Sequence, residues 1–211
     1  MEIILNNPEF YRHHVGPIEA FDSFGEERFQ FLLKNGLKPN HKFLDIGCGA
    51  LRIGKYLINY LKNNHYFGID PAKNIVEIAY EKEIKQKLKF PEFLYNSEFN
   101  FKDFQTKFDF VLANDIFIHC GQNQFKNCLI NLYKITKLKT KIFISVKLAN
   151  NYLEEISNWK YQHSSHGNIN YNINELKQLT LNYGFKTKII EGGIPDGFSR
   201  TTISLEKSCL I

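Results

Sequence analysis

The chain has 211 residues, 43% of them hydrophobic and 23% charged, proportions that exclude a disordered or fibrous polypeptide and suit a soluble globular one. A chain of this length buries about 70% of its unfolded surface on folding, so one domain over residues 1–211 is expected without disulfide staples. The net charge is +5, but 23 of the 27 basic residues are Lys and only four are Arg, which reads as genomic bias rather than as the clustered, Arg-rich footprint of a nucleic-acid binder.

The longest apolar runs fall far short of the roughly 20 residues that span a bilayer. Met1–Phe10 has no basic n-region, so no signal peptide is expected and the chain reads as cytoplasmic. Cys48, Cys120, Cys128 and Cys209 form no CxxC pair and read as free thiols, and no Cys/His spacing suggests a metal.

In chain order, Ser23 followed by Glu26 predicts a capped helix that stops at Gly36, with Phe29, Leu32 and Leu33 inward. Residues 1–38 thus read as an N-terminal helical cap. Lys42–Ile46 is a short buried strand, and Ile53, Tyr56, Leu57, Tyr60 and Leu61 mark a second helix. His65–Ile69 is a second strand, followed by a helix from Ala72 to about Lys87 whose Lys82, Lys85, Lys87 and Lys89 interleave with Glu81 and Glu83 as a solvated face. Phe93–Tyr95 and Phe108–Ala113 are the next strands. A helix from Gln122 to about Thr136 leads to a strand at Lys141–Val146.

The rhythm then breaks. Leu148–Ile169 is polar and irregular, and residues 148–172 read as an insertion on the substrate side. Asn172 and Glu175 cap a last helix that ends at Gly184. Two strands near Phe185–Glu191 and Thr201–Lys207 flank a loop too short for a parallel crossover, so they should pair antiparallel. The whole reads as an α/β chain with a doubly wound sheet of seven strands.

The chemistry concentrates at Leu44-Asp45-Ile46-Gly47-Cys48-Gly49, a strand running into a Gly-rich turn that opens a helix. Such a turn brings bare backbone and orphan N–H groups close to a ligand. Asp70 ends the next strand, where a carboxylate can accept both hydroxyls of an adenosyl ribose. A dinucleotide fingerprint would need Gly at position 52, where this chain has Arg52, and its pyrophosphate would meet a repelling charge at Asp45. A carboxylate at Asp45 better suits the ammonium of an amino acid, so the pattern asks for an adenosyl group joined to an amino acid.

Asp45-Ile46-Gly47-Cys48-Gly49 resembles the first motif of class I S-adenosylmethionine-dependent methyltransferases, and Gly68-Ile69-Asp70 resembles their second. Phe108–Asn114 resembles their strand-four motif, and Tyr183-Gly184-Phe185 before a terminal hairpin is typical of them. The resemblance covers residues 20–207. It implies a Rossmann-like, mostly parallel sheet with the last strand antiparallel. It also implies S-adenosylmethionine as cofactor and S-adenosylhomocysteine as product; no metal is expected, because a metal-dependent type would need converging carboxylates and only Asp115 is obviously placed. Asp45, Gly47, Cys48 and Gly49 would hold the methionine end, and Asp70 the ribose, with Pro71 beside it. Asn96, Ser97 and Glu98 would lie near adenine, and Asn114 under the sulfonium region.

Methyl transfer from a sulfonium needs orientation and exclusion of water, and an alcohol acceptor also needs a base. His119, after the fourth strand at the carboxyl edge of the sheet, is the candidate base. Tyr11, Arg12, His13 and His14 form an N-terminal segment expected to fold over the cofactor, with Tyr11, Arg12 and His14 as candidate acceptor contacts. Arg52, His163, His166, Asp196, Ser199 and Arg200 are further candidate contacts. The Asn/Asp-Pro-Pro motif of amino-methylating relatives is missing at Asn114-Asp115-Ile116-Phe117. The expected acceptor is a small polar molecule carrying a hydroxyl, such as a sugar or nucleotide-linked metabolite. An RNA-modifying methyltransferase and a non-catalytic cofactor-binding protein of the same fold are the alternatives.

Overall fold

The computed structural model describes residues 9–84, 89–155, 168–195 and 199–208. Its centre is built from short apolar runs. β1 (Phe43–Ile46) and β2 (Tyr66–Ile69) are buried along their whole length. β3 (Glu92–Leu94), β4 (Phe108–Ala113) and β5 (Thr136–Val146) complete a parallel set. β8 (Phe185–Ile189) and β9 (Thr201–Lys207) form an antiparallel hairpin, and β9 inserts between β5 and β8. The sheet order is β3-β2-β1-β4-β5-β9-β8, seven strands with the last one antiparallel, as the sequence predicts.

Residues alternate between the two faces of the sheet and build two cores. Leu44, Ile46, Phe67, Ile69, Val111 and Ala113 pack on one side with α4 (Gln122–Ile135) and α5 (Ile173–Asn182). Phe43, Tyr66, Phe110, Leu112 and Phe143 pack on the other with α1 (Phe21–Lys34), α2 (Gly54–Tyr60) and α3 (Lys73–Glu83). Each fully buried Leu, Ile or Phe contributes roughly 1.5–3 kcal/mol. Strand pairing sets Asp45 opposite Gly68 and Leu112, at the carboxyl end of β1.

Four local expectations are corrected. α1 begins at Phe21, so Ser23 lies inside the first turn, and Ala20 stands at the N-cap without a side-chain cap bond. Phe21 is fully buried, and its burial outweighs the ~1 kcal/mol of a Ser cap. α3 stops at Glu83, because Ile84 turns to extended backbone and buries itself; Lys85 and Lys87 lie outside the described residues. β5 starts directly after α4 at Thr136, whose hydroxyl donates to Leu132 O at 2.7 Å, and its register against β4 shifts before Lys141. The stretch read as irregular contains a small antiparallel ribbon, β6 (Leu153–Glu155) with β7 (Asn168–Asn170). Ile169 anchors it, fully buried, with its N–H donating to Ile118 O.

Among the described residues, no helix is long and apolar enough to cross a membrane.

Candidate functional site

The turn after β1 is shaped by two glycines in left-handed backbone, Gly47 at φ +73° and Gly49 at φ +45°. Such conformations cost an L side chain roughly 1–2 kcal/mol. The N–H groups of Gly47 and Cys48 both reach back to Ile69 O, at 2.7 and 3.2 Å, which folds the turn over the end of β2. Asp70 then clamps it. Its Oδ2 accepts the N–H of Gly49 at 2.9 Å, and its Oδ1 accepts the N–H of Ala72 at 2.8 Å.

The glycine faces are not bare. A Cβ on Gly47 would fall 1.9 Å from Cδ1 of Ile116, and one on Gly49 would fall 2.7 Å from Cγ1 of Val15 and 3.6 Å from His14 Cδ2. Two segments therefore close over the turn: the loop after β4, and a 3-10 segment, Phe10–Val15, that precedes α1.

Two buried carboxylates flank the turn. Asp45 is 4% exposed and accepts the hydroxyl of Tyr66 at 2.7 Å. Burial pushes its carboxyl up to about 7, against the lowering effect of the Tyr66 bond and with a further push from Asp70. Burial also raises Asp70, while the Ala72 N–H, the charge of His14 and the Gly49 N–H pull it back. Neither carboxylate forms a salt bridge among the described residues.

The remaining candidates separate into groups. Cys48 is buried and its thiol is pushed well up by burial and by the two aspartates, so it is a packed side chain rather than a nucleophile. Pro71 is half-buried between Asp70 and Ala72. Asn96 staples its own loop: its Oδ1 accepts the N–H groups of Glu98 and Asn100, and its Nδ2 donates to Asn100 O. Ser97 donates to the exposed Glu98. Asn114 donates to Asp115 Oδ2 at 2.9 Å, and its Oδ1 is buried without a hydrogen-bond partner among the described residues. His119 is half-buried in the turn that starts at Ile116, donating its backbone N–H to Ile116 O.

Tyr11 and Arg12 point elsewhere. Both donate to Glu83 Oε1 at the end of α3, at 2.6 and 2.7 Å, so they dock the N-terminal segment rather than face the turn. His13 is exposed, and His14 alone of this group meets the glycines. Ser199 is exposed, whereas Arg200 turns inward to Asp115 Oδ1 at 3.4 Å. His163, His166 and Asp196 lie outside the described residues.

Sequence reasoning missed Arg28 and the central place of Asp115. Arg28 is 1% exposed in α1, and its Nη2 lies 3.3 Å from Asp115 Oδ2. A charged residue on the inward face of an amphipathic helix was the available signal. Asp115 also accepts from Ser145 Oγ at 3.4 Å, and its own N–H donates to that oxygen at 2.6 Å.

Among the described residues, no three His, Cys, Asp or Glu side chains are placed to hold a metal ion. Two surface hollows, of about 280 and 420 Å³, lie along α3 and β3 and along the outside of α1, away from the glycine turn.

Residues 44–139 match the family model described as a methyltransferase domain. A search of curated proteins gives no match. Among solved structures, the chain is similar to an S-adenosylmethionine-dependent methyltransferase from Clostridium acetobutylicum. Identity is 13%, coverage 87% of this chain and 92% of that one, and the TM-score 0.65. It is also similar to the magnesium protoporphyrin IX methyltransferase of Synechocystis solved with bound S-adenosylhomocysteine. There identity is 14%, coverage 99% and 100%, and the TM-score 0.65. A glycopeptide N-methyltransferase complexed with the same product matches at 11% identity, covering 88% and 90% with a TM-score of 0.61.

Proposed function

We propose that this chain is a class I S-adenosylmethionine-dependent methyltransferase and that it methylates a hydroxyl oxygen of a small polar metabolite. The observation that carries the reading is the closed site itself. The Asp45–Gly49 turn is clamped by Asp70 and covered by the loop that carries Asn114 and His119. Such a covered carboxyl edge suits a small ligand enclosed away from water.

The residues present fit the cofactor. Asp45 is a buried carboxylate with no cationic partner among the described residues, and Asn114 Oδ1 is a buried acceptor with no donor. Together they suit an ammonium group. Asp70 keeps lone pairs beyond its two backbone donors and suits ribose hydroxyls. The cofactor supplies a methyl group already activated on a sulfonium. The protein's share is to hold donor and acceptor in line and keep water out. His119 takes the acceptor's proton, because an alcohol is a weak nucleophile until it is deprotonated.

Calorimetry with S-adenosylhomocysteine tests the cofactor half: binding that weakens in Asp70→Ala supports it, and absence of binding overturns it. For the acceptor, transfer of a labelled methyl group into the small-metabolite fraction of an extract is expected. Label recovered in RNA would assign the RNA-modifying alternative instead. His119→Gln should then slow turnover by about 10²-fold, and an unchanged rate would remove His119 from the role.

A further inference from the structure

Beside the glycine turn, two of the four arginines meet at Asp115, and a third lies next to one of them at the ring of Phe24. Arg28 and Arg200 reach opposite oxygens of Asp115, at 3.3 and 3.4 Å. Arg52, three residues after Gly49, has its guanidinium 5.8 Å from the ring of Phe24, which also lies 5.2 Å from that of Arg28. Arg52 is 6% exposed and donates to the carbonyl of Val15, but its Nε has no hydrogen-bond partner and it forms no salt bridge among the described residues. Burial and repulsion by Arg28, partly offset by Asp115, pull Arg52 down to about 10. A guanidinium buried this far with no carboxylate in direct contact is costly unless an anion joins it.

The cluster adjoins the methyl-transfer site through consecutive residues of one loop. Asn114 carries the orphan acceptor, Asp115 holds two of the arginines, and Ile116 lies on Gly47.

We propose that Arg52, together with Arg28 and Arg200, forms a subsite for an oxyanion of the methyl acceptor, so that the substrate is a hydroxyl compound bearing a carboxylate or phosphate. This rests on the methyltransferase reading above. The planar fork of a guanidinium matches either oxyanion with paired hydrogen bonds. Asp115 positions the fork of Arg28 and of Arg200, and Arg52 supplies the charge left without a salt bridge among the described residues. The same chemistry has a second source, the carboxylate of the cofactor's own methionine end, so the test separates the two.

With only four arginines, ¹⁵N-arginine labelling resolves each Nε–H, and Arg12, tied to Glu83, serves as internal control. Inorganic phosphate, and separately acetate, is titrated into free protein and into protein saturated with S-adenosylhomocysteine. The expected result is a saturable shift of the Arg52 signal in both forms, with Arg12 unmoved. R52Q should weaken phosphate binding by about tenfold or more while the product still binds. R200Q, at a partly exposed position less demanding of the fold, should weaken it in the same direction. An Arg52 signal that moves no more than that of Arg12 overturns the subsite. A signal that S-adenosylhomocysteine alone moves, and that then ignores phosphate, gives the arginines to the cofactor and overturns the acceptor assignment. Failure of S-adenosylhomocysteine to bind at all, with the phosphate response intact, overturns instead the methyltransferase reading on which the acceptor assignment depends.

Discussion

Asp70 holds the backbone N–H of Gly49 at 2.9 Å across 21 residues of sequence, and with its other oxygen the N–H of Ala72. One carboxylate thus fixes both the glycine turn and the start of α3. Asp70→Ala removes both anchors, while Asp70→Asn keeps an acceptor for one of them. Affinity for S-adenosylhomocysteine should fall in the order wild type, Asn, Ala, with about a 10- to 100-fold loss for Ala. Urea unfolding should show a loss of about 1–3 kcal/mol for Ala. Equal affinity in all three would dissociate Asp70 from the cofactor site.

Asp45 is held up to about 7 by burial, above the ordinary 3.8. Between those values the folded chain keeps a proton that the unfolded chain has released. The stability due to Asp45 is therefore full below the unfolded value and is lost as pH rises through about 7. Unfolding measured between about pH 5 and 8 should show this decline in the wild type and a flatter profile in Asp45→Asn.

Pairing Asp45 with an ammonium requires its ionised form. Binding of S-adenosylhomocysteine just below pH 7 should release a proton, detected as a dependence of calorimetric heat on buffer ionisation enthalpy. Tyr66→Phe removes the hydrogen bond that lowers Asp45, so the midpoint of proton release should move to higher pH. A midpoint unmoved by Tyr66→Phe would assign the proton to another group.

Gly47→Ala would drive a methyl group to 1.9 Å from Ile116 Cδ1 at a φ of +73°. The overpacking should cost about 1–3 kcal/mol, and the backbone conformation roughly 1–2 more. Ile116→Ala in the same chain makes room and should restore only the overpacking share. Strict additivity of the two substitutions in urea unfolding would show that Ile116 does not press on Gly47.

Cys48, Cys120 and Cys128 are buried, and burial raises all three thiols, Cys120 to about 12. In the folded protein at neutral pH they should resist iodoacetamide and should react once the chain is unfolded, as peptide mapping would show. Alkylation of Cys48 in the folded state would contradict the closed turn.

The strand–turn–helix around Gly47 and Gly49, Asp70 at the end of the next strand, and the antiparallel terminal hairpin were legible because each follows from local periodicity and turn chemistry. Helix ends were less legible. The fully buried Phe21 moves the start of α1 ahead of Ser23, and that burial exists only once α1 meets the sheet. The ribbon of β6 and β7 escaped notice for the same reason: polar residues surround Ile169, and only its packing reveals it.

The sequence by itself determined the sheet, the turn and the two aspartates, since hydrophobic period and glycine backbone freedom act over a few residues. Only the tertiary structure brought Arg28 and Arg200 to Asp115, set Arg52 near Arg28 at the ring of Phe24, laid Ile116 and Val15 on the glycines, and sent Tyr11 and Arg12 to Glu83. Those contacts join segments dozens of residues apart. Their charges and volumes are matched by packing, and no spacing along the chain encodes that match.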